Sequence, residues 1–348
     1  MVRISTRCAA SMMALIAAAL QVSIPVQAAG SQPGVPNARG VRQQNPSASA
    51  SPAQAPSTAA GNDTIAWLHD LQAWREQRGR DVDAPDGWLT LVGLEWLKSG
   101  VNSVGAAADN HIRIAAHAPD HIGLITVSGS SPDKAIVQLL APSGGFPADL
   151  KIDGRPAREG PLNTSDEKPS TITCNGLSLV VLRRGDRFVL QIKDADSPTR
   201  TAFHGLRWFP PNPAFRVTAR WIPYKPPQVE KIPTAIGTTL DMPAPGVAEF
   251  LLDGKAVLLE PVIEGGDTSK LFFILTDKTA PAATYSGGRY LSTGLPDHGL
   301  SQPGNLVLDF NRLYNPPCAY TTYATCPQPP EKNRLPVLLE AGEFRYMQ

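Results

Sequence analysis

Residues 177–192, LSLVVLRRGDRFVLQI, decide the fold class. The stretches 177–182 and 187–192 are short apolar runs rich in Val, Leu and Ile. Arg184-Gly185-Asp186 between them supplies turn chemistry, so the whole reads as a β-hairpin. Comparable runs lie on both sides, at 87–94, 112–114, 122–127, 135–140, 215–221, 249–252, 256–259, 271–275 and 305–310. Asp153-Gly154 is a further tight-turn pair. Proline is frequent, with 34 among 348 residues against an average of about 5%. Proline breaks helix interiors and suits turns and edges, which argues against a helical bundle. Short strands at this density, punctuated by Gly and Pro, predict a mostly β protein, a sandwich or barrel-like β domain.

One helix interrupts this pattern near the start. Asn62 or Asp63 can cap it, and Trp67, Leu68, Leu71 and Trp74 follow a helical period. Gly79 is the expected stop, which places Arg75 and Arg78 in the last turn, where cations complement the helix dipole. The expectation is an N-terminal helix packed on a sheet.

Upstream of the helix the composition changes twice. Residues 1–28 carry Arg3 and Arg7, a nine-residue apolar run at 12–20, and Val26-Gln27-Ala28, the pattern of a signal peptide cleaved after Ala28. The run is far short of the ~20 apolar residues of a membrane span, so no transmembrane segment is expected after cleavage. An exported protein, periplasmic or extracellular, follows. Residues 29–61 hold no aromatic residue and no acid, and their Ala, Ser and Pro content reads as a disordered linker. Residues 62–348 then form a β-rich domain, with a division into two subdomains expected near 223–236, where prolines cluster. A net charge of +1 with 18% charged residues gives no basic stripe, and nucleic acid is not an expected partner.

The densest group of unusual residues lies between Asp277 and Glu343. It includes Thr284-Tyr285, Gly287-Gly288-Arg289, Asp309-Phe310-Asn311, Asn315-Pro316-Pro317-Cys318, Cys326-Pro327, Asn333 and Ala341-Gly342-Glu343. Cys318 and Cys326 enclose seven residues, and export implies an oxidising compartment, so a disulfide is expected. A metal site and reduced thiols are the alternatives, although no histidine follows Cys318. Cys174 is then the odd thiol, buried in or beside a strand. His111, His117 and His121 read as loop histidines, since Pro119 and Asp120 interrupt any helix that would align them. No metal and no cofactor are expected.

These strings resemble a bacterial family of unknown function, DUF1684. Its GWLTLVGL-x-WL, TY-x-x-GR, DFN-x-x-YNPPCA, CP-x-PP-x-x-N-x-L and AGE strings are matched at 87–97, 284–289, 309–319, 326–335 and 341–343. The resemblance covers most of the mature chain. One departure is Thr279-Ala280-Pro281, where the family has a glycine-containing turn. The resemblance implies no reaction.

Chemistry must therefore come from the residues. A small polar molecule, a carbohydrate or carboxylate, is the expected partner, held by Tyr285, Arg289, Asn311, Asn315 and Asn333. A second reading is an exported hydrolase in which Asp309 and Glu343 divide acid and base roles. A third is a structural envelope protein, with Asp309 and Asn311 satisfying turn backbone and Glu343 paired to Arg289. No G-x-S-x-G elbow, Walker loop or dinucleotide fingerprint is present.

Overall fold

The computed structural model describes residues 58–347 apart from 116, 130, 132, 133 and 166, with the side chains of the first helix described from Asp63 onward. The signal peptide and nearly all of the linker expected from the sequence lie outside the described residues.

Helix α1 runs Thr58–Asp83. It starts four residues before the expected cap and continues through Gly79, so Arg75 and Arg78 lie inside it rather than in its last turn. Its buried stripe is Leu71, Arg75 and Val82, with Trp74 and Arg78 half-buried beside them, whereas Leu68 is exposed. Two arginines thus occupy positions at helical spacing that an apolar residue usually fills. The helix lies against the end of a C-terminal strand and the 3₁₀ turn that follows it. Trp67 Nε1 donates to Asp309 at 2.7 Å, and Trp74 packs edge-on to Trp208 with ring centroids 5.5 Å apart.

After a 3₁₀ turn at Trp88–Thr90, where the sequence predicted strand, come β1 (Leu91–Trp96), β2 (Gly100–Gly105), β3 (Ile112–Arg113), β4 (Gly123–Ser128) and β5 (Ile136–Leu140). Then follow β6 (Lys151–Ile152), β7 (Arg155–Pro156), β8 (Gly160–Pro161), β9 (Thr171–Cys174), β10 (Leu177–Arg184) and β11 (Arg187–Asp194). They form a six-stranded sheet, β1-β11-β10-β9-β6-β7, and a five-stranded sheet, β3-β2-β4-β5-β8. The β10–β11 hairpin pairs Leu177 with Asp194 through to Arg184 with Arg187, and Asp153-Gly154, both at positive φ, turns β6 into β7. One buried cluster, including Ile125, Leu139, Ile172, Leu179 and Leu190, joins the facing sides of both sheets. Alternation of buried and half-buried residues along β9 and the first part of β10 is what presents that apolar face.

Short helix α2 (Pro198–Thr201) leads to β12 (Arg216–Pro233), β13 (Thr239–Leu252), β14 (Lys255–Leu259), β15 (Leu271–Leu275), β16 (Arg289–Thr293) and β17 (Gly304–Asp309). Strands β14-β13-β12-β17 form one antiparallel sheet and β15-β16 a second pair. Trp221, Phe250, Leu271, Phe273, Leu308 and Phe310 belong to their shared core. The proline-rich stretch from 223 to 233 is the second half of β12. Its pairing with β13 breaks between Pro223 and Gln228, because Pro223, Pro226 and Pro227 offer no N–H to a ladder. Among the described residues the molecule is mostly β, with several sheets and no closed barrel.

Candidate functional site

Arg289 opens β16 with its side chain 1% exposed. Its Nη2 donates to Asp277 Oδ2 at 2.8 Å and to the Leu339 carbonyl at 2.9 Å, and its Nη1 to the Ala341 carbonyl. Its charge partner is therefore Asp277, not Glu343 as expected from the sequence. Asp277 in turn accepts from the Thr279 and Leu339 amides. This buried pair clamps the last segment of chain to the sheet.

The amide residues make similar cross-links. Asn333 donates to the Glu260 and Ile274 carbonyls and accepts from the Glu260 amide at 3.0 Å. Asn311 exchanges hydrogen bonds with the Asn212 backbone at 2.8 and 2.9 Å. Tyr285 donates its hydroxyl to the Cys318 carbonyl at 3.0 Å. Each buried polar group answers backbone that no strand ladder satisfies.

Asp309 and Glu343 have separate environments. Asp309 accepts from Trp67 Nε1 and from the Asn311 amide and side chain, and lines a cleft of about 300 Å³ with Asp70, Arg216 and Arg312. Glu343, 1% exposed, does not line that cleft. It accepts from Asn315 through the backbone amide at 3.1 Å and the side chain at 2.7 Å, and from the Tyr320 hydroxyl. Gly342 makes this placement possible. Its φ is +79°, and a Cβ there would sit 2.5 Å from the Leu313 carbonyl oxygen. Burial pushes the Glu343 carboxyl above its ordinary value, while Arg78, Tyr320 and Asn315 pull it back.

Arg78 reaches this group from α1. Its Nε lies 3.9 Å from Glu343 Oε2, its Nη2 donates to the Asn315 carbonyl at 2.9 Å, and its guanidinium stacks 4.7 Å from the Tyr314 ring centroid. Arg78 and Tyr314 also line a cavity of about 340 Å³. Strands β1, β10 and β11 supply its first wall, including Arg184 and Gln191. Tyr290 and Phe272, from β16 and β15, form the second, in edge-on contact at 4.8 Å. The third is residues 323–326 of the loop closed by the Cys318–Cys326 disulfide, whose Cα atoms are 6.0 Å apart, and Pro327 just beyond it. Tyr290 donates to the Pro327 carbonyl at 2.7 Å, which ties wall to wall. Glu264 completes the lining, its carboxyl raised by desolvation, opposed by Lys270 and reinforced by Asp267. Such a cavity presents cations to an anion and aromatic faces to an apolar ring or sugar face.

Of the residues expected to form a site, the structure joins Asn315 to Glu343 and sets Tyr285 against the disulfide loop. Arg289 and Asn333 belong to separate buried networks, and Asp309 and Asn311 to another. Arg78, Arg184, Glu264, Tyr290 and Tyr323 are the residues that sequence reasoning missed. The available signal was the spacing of Arg75 and Arg78 with Leu71 and Val82, which puts cations on a buried stripe. Cys174, 2% exposed on β9, has its thiol pushed up to about 12 by burial and by Asp149. Among the described residues no group of three or more His, Cys, Asp or Glu side chains is placed to hold a metal ion, and no helix is long and apolar enough to cross a membrane.

No curated protein matches the chain. Among solved structures it is similar to an uncharacterized protein from Haloarcula marismortui determined by solution NMR. Identity is 35%, over 42% of this chain and 80% of that one, with a TM-score of 0.37. The resemblance seen in the sequence narrows to its C-terminal strings, and the string at 87–97 falls outside the match. Residues 201–344, the C-terminal part of the chain, match the model of DUF1684, described as a protein of unknown function.

Proposed function

We propose that the protein is exported and binds a small polar ligand, a carbohydrate or a carboxylate, in the cavity beside the Cys318–Cys326 loop. The observation that carries this reading is the lining itself, in which Arg78 and Arg184 stand beside Tyr290, Tyr314 and Tyr323. A volume of about 340 Å³ suits a ligand of one or two rings, at the small end of the ~300–1,000 Å³ range of ligand pockets. Arginine recognises a carboxylate in two-pronged fashion, and tyrosine offers both a flat face and a polar tip. Export is supported by the basic, apolar and small-residue order of positions 1–28, and the disulfide suits an oxidising compartment. Cleavage by a carboxylate pair has less support, because Glu264 is the one carboxylate lining this cavity among the described residues.

The test is a calorimetric titration of the full chain with glucuronate, glucose and benzoate as probes. Binding of at least one probe is expected, weakened about tenfold by Arg184→Ala, the cost of a lost charge-assisted contact. Absence of binding by all three, or binding indifferent to both Arg184→Ala and Tyr323→Ala, overturns the proposal.

A further inference from the structure

Resting on the ligand-binding reading above, we propose that Glu343, acting through Arg78, sets how strongly the cavity prefers an anionic over a neutral ligand. Glu343 is 1% exposed and does not line the cavity, so it cannot touch a ligand. Arg78 does line it. The two meet at 3.9 Å, between Glu343 Oε2 and an Arg78 Nε that is buried and has no hydrogen-bond partner. The link at this point is therefore one of charge rather than of a made hydrogen bond.

A second link runs through Asn315. Glu343 holds Asn315 by backbone amide and side chain, and the Asn315 carbonyl accepts from Arg78 Nη2 at 2.9 Å. The Tyr314 ring lies 4.7 Å from the Arg78 guanidinium on the cavity side. Glu343 thus fixes where the guanidinium sits and, when ionised, offsets part of the positive charge the cavity presents. It is a positioning residue that sets specificity. Tyr320 supports it, because its hydroxyl donates to Glu343 Oε1 and favours the ionised carboxylate.

The geometry predicts effects of the same sign for two near-isosteric changes. Glu343→Gln keeps an oxygen to accept from Asn315 but removes the counter-charge. The ratio of glucuronate to glucose affinity then rises on the order of tenfold, the effect of one charge several ångströms away in a partly screened site. Tyr320→Phe removes a donor that favours the ionised carboxylate, so the counter-charge weakens and the same ratio rises by less. A merely structural role would weaken both probes together and leave the ratio where it was. Titrations of the full chain at neutral pH, with thermal midpoints measured alongside, read the difference. A ratio unchanged in both variants that fold, or shifted the other way in either, overturns the inference while the ligand-binding reading stands. Failure of the wild type to bind either probe removes both. If one variant does not fold, the sign of the other decides.

Discussion

Glu343 is a carboxylate enclosed by Arg78, Asn315 and Tyr320, and burial outweighs these partners in setting its proton affinity. A carboxyl raised above its ordinary value of 4.5 keeps its proton in the folded chain at pH values where the unfolded chain has released it. The stability it contributes is therefore fully present below 4.5 and is lost as pH rises through the folded-state value. Urea midpoints of the wild type and Glu343→Gln, compared from about pH 4 to pH 7, should converge or cross in the variant's favour as pH rises. Parallel midpoints across that range would show that Glu343 titrates alike in both states. At this scale the sequence marked Glu343 and Arg289 as unusual but not their partners. Arg289 meets Asp277 and Glu343 meets Arg78, a residue 265 positions away on another element, and no local spacing announces such a pairing.

At the scale of elements, the disulfide loop does two things. It covers the aromatic side of the cavity with residues 323–326 and with Pro327 just beyond it. It is also pinned by the Tyr285 hydroxyl from the segment before β16, by the Tyr290 hydroxyl of β16 and by Thr321, which donates to the Leu91 carbonyl of β1 at 2.9 Å. Cross-linking Cys318 to Cys326 removes freedom from the unfolded chain, worth roughly 2–3 kcal/mol for so short a loop in the chain-entropy model. The paired change Cys318→Ser with Cys326→Ser should lower the unfolding free energy by about that amount and weaken probe binding, as judged by urea denaturation and titration of the same samples. Stability lost with binding intact would mean that the wall keeps its shape without the bond. The hairpins were legible because turn residues such as Arg184-Gly185-Asp186 and Asp153-Gly154 sit beside β-type runs. Strand β12 was half missed because Pro223, Pro226, Pro227 and Pro233 argue locally against a strand. Pairing with β13 on either side of the bulge overrides that preference.

At the scale of the molecule, the family match and the cavity do not coincide. Residues 201–344 supply the aromatic wall and the disulfide loop, whereas Arg78, Leu94, Leu182, Arg184 and Gln191 come from sequence before residue 201. A mostly β architecture was readable from strand density, but the cavity was not, because its walls converge only when sheets distant in sequence pack together. Helix α1 is the element most exposed to test. Its Leu71 and Val82 are buried, Arg75 donates to the Asn311 carbonyl at 3.3 Å and lies over Trp208, and Arg78 closes one end of the cavity. Removing it strips apolar cover from Trp208, Leu89 and Tyr314 and leaves Glu343 buried without its cation, a loss of the kind that costs several kcal/mol. A chain beginning at residue 84 should therefore melt well below the full chain, bind more of an apolar dye, and take up neither glucuronate nor glucose. Glu343→Gln introduced into the shortened chain should recover part of the lost melting temperature, since it removes the stranded charge, without restoring binding. Binding by the shortened chain would mean that Arg78 is dispensable, and that the C-terminal family region holds the ligand with the strand wall alone.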